Sequence, residues 1–156
     1  MRILGIDPGT GITGFGVIEI DGHKHSMVDA GVIRTASDLD DAARLEIICD
    51  SVAKIIKDTK PDVVSIEKLF FARNVTTAMT VSQARGVIML VAQQHKLPIY
   101  EYTPLQIKQA VTGYGKADKP QMQEMVRVLL KLKDIPKPDD CADALAAAIC
   151  CAMTIR

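Results

Sequence analysis

The chain contains short apolar runs typical of strands and longer segments in which apolar residues recur at helical spacing. Apolar, β-branched or aromatic runs near residues 3–6, 12–20 and 27–35 are separated by turn residues, which predicts an antiparallel meander of three strands. Two further runs, at 62–66 and 98–102, follow helical patterns. A strand reached through a helical crossover runs parallel to an earlier one, so strands 4 and 5 are expected to lie parallel to strand 1.

Between and after these strands, apolar residues recur at helical spacing. Ser37 and Asp40 resemble a capping pair that opens the first helix, and from Ala144 onward the last helix is apolar nearly all round, as buried helices are. The pattern predicts an α/β fold with a five-stranded mixed sheet and helices on both faces, in one domain over 1–156. The predicted helices cover residues 37–59, 76–95, 104–111, 120–131 and 139–153.

Composition narrows the class of protein. The chain has 156 residues, of which 48% are hydrophobic, so it can bury a core. It lacks both an apolar stretch of about 18 residues and a basic, then apolar, N-terminus, so we expect a soluble cytoplasmic protein without a membrane partner. The four cysteines lack the spacing of a zinc site and are expected to be reduced thiols.

Charge is unevenly distributed although the formal net charge is zero. Residues 1–67 carry 7 Lys and Arg against 12 Asp and Glu, residues 68–119 carry 7 against 2, and residues 120–156 carry 5 against 5. The middle segment could form a basic face for nucleic acid, or it could be an ordinary solvated surface.

Four carboxylates stand where this fold would bring them together. One ends strand 1 before a Pro-Gly turn, one ends strand 4, and two lie at positions i and i+3 of the last helix, on one face of its first turn. These four residues, called the acidic cluster below, are Asp7, Glu67, Asp140 and Asp143. Glu101, near the end of strand 5, is expected to be structural.

Clustered carboxylates repel one another at pH 7, and hard divalent cations relieve that repulsion. Ligand sets of oxygen atoms alone select Mg²⁺ or Mn²⁺ over zinc. Two such ions, about 4 Å apart, stabilise the attacking and leaving oxygens of a phosphoryl displacement. The acidic cluster therefore predicts two-metal hydrolysis of a phosphodiester.

Two segments carry residues suited to DNA. Phe70 and Phe71 follow strand 4 beside Lys68 and Arg73, a combination that suits stacking on unpaired bases next to phosphates. Either phenylalanine could instead belong to the core, and the alternation of side chains favours one of the two facing outward. A glycine-hinged loop over 113–120 carries lysines that could follow a phosphate backbone; they are Lys116 and Lys119.

Four motifs occur in order over essentially the whole chain. They are Ile6-Asp-Pro-Gly-Thr, Ile66-Glu with Phe70-Phe-Ala-Arg-Asn74, Gln83-Ala-Arg-Gly86, and Asp140-Cys-Ala-Asp-Ala-Leu-Ala146. Together they resemble the RuvC family of Holliday-junction resolvases, in the ribonuclease H-like superfamily.

The resemblance implies specific roles. The acidic cluster matches the family's metal-binding catalytic carboxylates, Phe70 matches an aromatic that stacks near the opened junction, and Lys108 and Lys119 match lysines that contact DNA. Arg73 and Asn74 fall in the loop that matches. It also implies Mg²⁺ dependence, a homodimer that makes two symmetric nicks with 5′-phosphate and 3′-hydroxyl ends, and cooperation with the RuvA and RuvB branch-migration complex.

Three other interpretations are weaker. A dinucleotide-binding loop over Gly9–Gly14 would need a helix to begin there, and strand residues follow instead. Gly5-Ile-Asp-Pro-Gly-Thr also resembles the first phosphate loop of sugar kinases and actin, but the chain is short for two such domains. A non-catalytic junction-binding module would not need all four carboxylates.

Overall fold

The structure is a computed structural model that describes residues 1–69 and 75–155. The strands are β1 (Arg2–Asp7), β2 (Ile12–Asp21), β3 (Lys24–Arg34), β4 (Val63–Glu67) and β5 (Ile99–Tyr102). The helices are α1 (Asp41–Thr59), α2 (Val75–Gln94), α3 (Pro104–Thr112), α4 (Lys119–Leu129) and α5 (Asp139–Thr154). Within the described ranges, no helix is both long enough and apolar enough to cross a membrane.

The five strands form one mixed sheet in the order β3-β2-β1-β4-β5. β1 and β2 pair antiparallel, as do β2 and β3, whereas β4 runs parallel to β1 and β5 parallel to β4. This confirms the predicted fold. Because Ile6 pairs with Ile66, the residues that follow them, Asp7 and Glu67, leave the sheet side by side at its carboxyl edge.

Helices cover both faces of the sheet, as predicted. One apolar cluster joins one face of the sheet to α1 and α2, with Ile48 and Ile88 at its centre. The other cluster joins the opposite face to α3, α4 and α5. Every residue from Ala144 to Cys151 is buried there, which confirms the prediction of a buried last helix.

Glycines in β1 and β2 let α5 approach the sheet closely. A Cβ atom at Gly5 would overlap the carbonyl oxygen of Ala144, and one at Gly16 would lie 2.6 Å from Leu145 Cγ. At Gly14 it would overlap the carbonyl oxygen of Asp140. Because these glycines have no side chains, the first turns of α5 pack directly against β1 and β2.

Three predicted element boundaries were wrong. β3 begins at Lys24 rather than 27, because Gly22 has a φ of 57° and the tight turn lets Asp21 pair with Lys24. α1 begins after Asp40 rather than at 37, because the Asp40 carboxylate accepts a hydrogen bond of 2.7 Å from the Ala43 N–H. Asp118 caps α4 in the same manner, so Lys119 is helical and not part of the loop.

Candidate active site

The carboxyl edge of the sheet brings the acidic cluster together. Asp7 and Glu67 end the adjacent parallel strands β1 and β4, and the other two members lie in the first two turns of α5. Burial, and after it repulsion from the other three members of the cluster, raises the pKa of Asp7 to about 8, although Lys119 offsets part of that rise. Burial and then Asp143 raise the pKa of Glu67 to about 7.

A cleft of about 230 Å³ opens beside these carboxylates. Glu67 and Asp143 line it together with side chains from α3 and α4, which are Pro104, Ile107, Lys108, Lys119 and Met122. A neighbouring depression, lined by Asp7, also contains Glu67 and Pro104. Glu67 thus borders both hollows. We call the pair the active-site cleft.

Lys119 is a counter-ion of the acidic cluster, which the sequence analysis did not anticipate. Its Nζ lies 3.2 Å from Asp139 Oδ2 and 3.4 Å from Asp143 Oδ2. Burial disfavours the charged ammonium, but Asp143 and Asp139 together raise the pKa of Lys119. Burial raises the pKa of Asp143, and Lys119 offsets part of that rise. The negative charge of the acidic cluster is therefore partly neutralised by Lys119, the first residue of α4.

The side chains of the acidic cluster have the right chemistry for a divalent cation, but they are not arranged around a single ion. Among residues 1–69 and 75–155, no three His, Cys, Asp or Glu side chains are placed to hold one ion. Asp143 faces the Lys119 ammonium instead. Nevertheless, the donors are all oxygen atoms, and burial together with neighbouring carboxylates raises the pKa values of Asp7 and Glu67, so their ionised forms are unfavourable in a way that a hard cation would relieve.

The other predicted site residues fall into two groups. Lys108 lines the cleft, and its charge partly offsets the rise in the pKa of Glu67. Lys116 is exposed on the loop of residues 113–118 between α3 and α4. The remaining three lie outside the described residues; they are Phe70, Arg73 and Asn74.

Two further contacts at the carboxyl edge concern residues to which the sequence analysis gave no catalytic role. Gly14 pairs across the sheet with Asp7, and its missing side chain makes room for the Asp140 backbone. A glycine opposite Asp7 was visible in the sequence, but its contact with α5 was not. Glu101 forms an ion pair with Arg85 of α2, which agrees with the structural role expected for it.

Comparison with known proteins extends this picture. The family model described as "Crossover junction endodeoxyribonuclease RuvC" matches residues 3–151. A protein of that name from Heliobacterium modesticaldum is 56% identical over 155 residues, which cover 99% of this chain and 96% of the relative.

Solved structures agree. The structure of RuvC from Thermus thermophilus is 35% identical, with a TM-score of 0.92 over 98% of this chain and 94% of that one. T. thermophilus RuvC in complex with Holliday junction substrate is 34% identical, with a TM-score of 0.93 over 98% and 93%. The chain therefore belongs to the RuvC family of crossover junction endodeoxyribonucleases.

Proposed function

We propose that this chain resolves four-way DNA junctions by paired symmetric nicks, through metal-dependent hydrolysis that leaves 5′-phosphate and 3′-hydroxyl ends. The observation that carries the proposal is the convergence of the acidic cluster at the carboxyl edge of the sheet, where burial and the neighbouring carboxylates raise the pKa of Asp7 to about 8. Such an arrangement is unfavourable in a protein without a cation, since ionised carboxylates repel in a desolvated site.

The acidic cluster would hold the metal ions, with Mg²⁺ as the physiological choice, two ions per site and Mn²⁺ as a substitute. When bound, the ions supply an activated water and stabilise the leaving 3′ oxygen. The side chains of the cluster contribute by fixing the ions beside the cleft. Lys108 and Lys119, which also line the cleft, would bind the scissile phosphate.

Lys119 has a second role in this proposal. Its ammonium can pair either with Asp143 or with an incoming phosphate, because its side chain is 52% exposed. Transfer of Lys119 to the DNA would release Asp143 to bind a cation. In this way the arrival of substrate would complete the metal site.

Removing this counter-ion should strengthen metal binding. Lys119→Gln leaves Asp143 without its ion pair, so we expect Mn²⁺ to bind about threefold to tenfold more tightly, given the modest strength of partly exposed ion pairs. Isothermal titration of Mn²⁺ into the DNA-free protein measures this. Lys116→Gln, on the preceding loop, is the matched control, and equal Mn²⁺ affinities for the two variants would contradict the exchange.

The remaining DNA contacts and partners are also proposed. Phe70, Arg73, Asn74 and Lys116 would contact the junction around the cleft. A homodimer would present two identical sites to the two strands that must be cut, and α2 offers apolar side chains for such contacts, since Met79 is 62% exposed and Leu90 is 57% exposed. Cooperation with RuvA and RuvB rests on the family resemblance, and the cytoplasmic location and single domain stay predictions.

The test is cleavage of a synthetic mobile four-way junction in Mg²⁺, with a linear duplex as control. We expect symmetric nicks in the junction alone, and products that DNA ligase reseals. Binding without cleavage in either Mg²⁺ or Mn²⁺ would indicate a junction-binding module. Ends that DNA ligase cannot seal would contradict the proposed chemistry. If the protein does not bind the junction at all, the nucleotide-binding alternative would be favoured.

A further inference from the structure

One exposed aromatic side chain lies on the loop between α3 and α4. Tyr114 is 59% exposed, whereas Tyr102 is 8% exposed within the core. No described residue forms a hydrogen bond with the Tyr114 hydroxyl. An aromatic ring can bury about 150–250 Å², so one that the described fold leaves in solvent is available to a ligand.

The backbone that carries this ring is well fixed. Thr112 Oγ1 accepts a hydrogen bond of 3.1 Å from the Tyr114 N–H and lies 2.9 Å from the Tyr114 carbonyl oxygen. The same carbonyl oxygen accepts from the Ala117 N–H at 3.1 Å, and Ala117 is buried. Presenting the ring to a ligand therefore costs little backbone entropy.

The loop is tied to the walls of the active-site cleft. Thr112 Oγ1 also lies 2.7 Å from the carbonyl oxygen of Lys108, a residue of the cleft. Gly115 packs against Leu105, because a Cβ atom there would lie 2.7 Å from Leu105 Cδ1, and Leu105 follows Pro104 of the cleft wall. The loop thus folds back along α3 before α4 begins at Lys119.

Lysines precede and follow Tyr114 in the chain. Lys108 precedes it on α3, Lys116 is exposed two residues after it, and Lys119 opens the next helix. An aromatic surface among lysines binds single-stranded nucleic acid, because the ring stacks on a base while the lysines contact phosphates. A purely anionic ligand would not need the ring, and a purely apolar partner would not need the lysines.

We propose that Tyr114 is a stacking platform for an unpaired base of the junction, next to the strand that enters the active-site cleft. The inference rests on the proposed function and extends it, because it assigns to the loop after α3 a base contact in addition to phosphate contacts. The ring is a positioning group for DNA and takes no part in the hydrolysis.

Binding affinity provides the first test. Tyr114→Leu should weaken binding to the four-way junction by roughly fivefold to a hundredfold, whereas Tyr114→Phe, which keeps the ring, should stay within about twofold. Tyr114→Leu should leave the salt dependence of binding unchanged, while Lys116→Gln should lower its slope by about one. Thermal unfolding checks that each variant is folded.

Fluorescence provides the second test. The chain has no tryptophan and three tyrosines, so tyrosine emission is directly observable. Stacking of Tyr114 on a base should quench that emission when the junction binds, and the quenching should disappear in Tyr114→Leu but persist in the matched control Tyr100→Phe. Junction binding equal to wild type in Tyr114→Leu would overturn the stacking platform alone, whereas a wild-type protein that fails to bind junctions would overturn the proposed function as well.

Discussion

Asp7→Asn is expected to abolish junction cleavage and, at the same time, to stabilise the metal-free protein at pH 8. Cleavage should fall by at least about 10³-fold, because Asp7 is a proposed metal ligand, and each tenfold decrease corresponds to about 1.4 kcal/mol of transition-state stabilisation. Junction binding should persist, since the proposed DNA contacts are lysines and aromatic side chains. A gain in stability from removing a catalytic group is the signature of a site whose charges are unfavourable without metal.

The sign of the stability effect follows from the pKa of Asp7, which burial and its acidic neighbours raise from 3.8 to about 8. The folded state holds the Asp7 proton more tightly than the unfolded state does. Between about pH 4 and pH 8, Asp7 is ionised in the unfolded chain but still protonated in the folded one. The free energy of unfolding of the metal-free protein therefore falls as pH rises through this range. Asparagine removes this loss, and we expect a gain on the order of 2–4 kcal/mol at pH 8 and little change at pH 4.

Urea unfolding in a chelating buffer, at pH 4, 6 and 8, measures the effect. Asp50→Asn, which changes an exposed carboxylate of α1, is the matched control. Mg²⁺ should stabilise the wild-type protein and this control at pH 8 but should have much less effect on Asp7→Asn. If Asp7→Asn is less stable than the wild type at pH 8, the acidic cluster is not electrostatically strained.

Gly14→Ala is expected to reduce cleavage by roughly a hundredfold without touching a carboxylate. The new methyl group would overlap the carbonyl oxygen of Asp140, so the first turn of α5 must move away from β2. A displacement of about 1 Å between catalytic groups is enough for a loss of that size. Because Asp7 pairs with Gly14, the displacement separates Asp140 and Asp143 from Asp7.

The measurement is single-turnover cleavage of the junction, combined with the temperature of unfolding. Asp50→Asn, the exposed position of α1 used above, is again the control because it lies outside both the carboxyl edge of the sheet and the exposed apolar face of α2. The control should cleave at the wild-type rate. Cleavage by Gly14→Ala at the wild-type rate would mean that α5 can shift without disturbing the site.

Much of this architecture was predictable because it depends on local pattern and on general rules of chain connection. The crossover through α1 requires β4 to run parallel to an earlier strand, and pairing with β1 then places Glu67 beside Asp7. The near-continuous apolar sequence after Ala144 likewise required a buried helix, which α5 is. The element boundaries were less predictable, since a capping residue such as Asp40 is chosen by geometry as well as by sequence.

By itself, then, the sequence determined the order and type of the elements, the burial of α5, and the candidate members of the acidic cluster, because hydrophobic periodicity and strand ends are properties of neighbouring residues. Only the tertiary structure decided that Lys119 neutralises Asp143 and that Gly14 seats Asp140. Both contacts join segments more than 20 residues apart in the chain, and their existence depends on the distance at which α4 packs against α5 and α5 packs against β2. No spacing in the sequence encodes that distance, which the packing of the whole core determines.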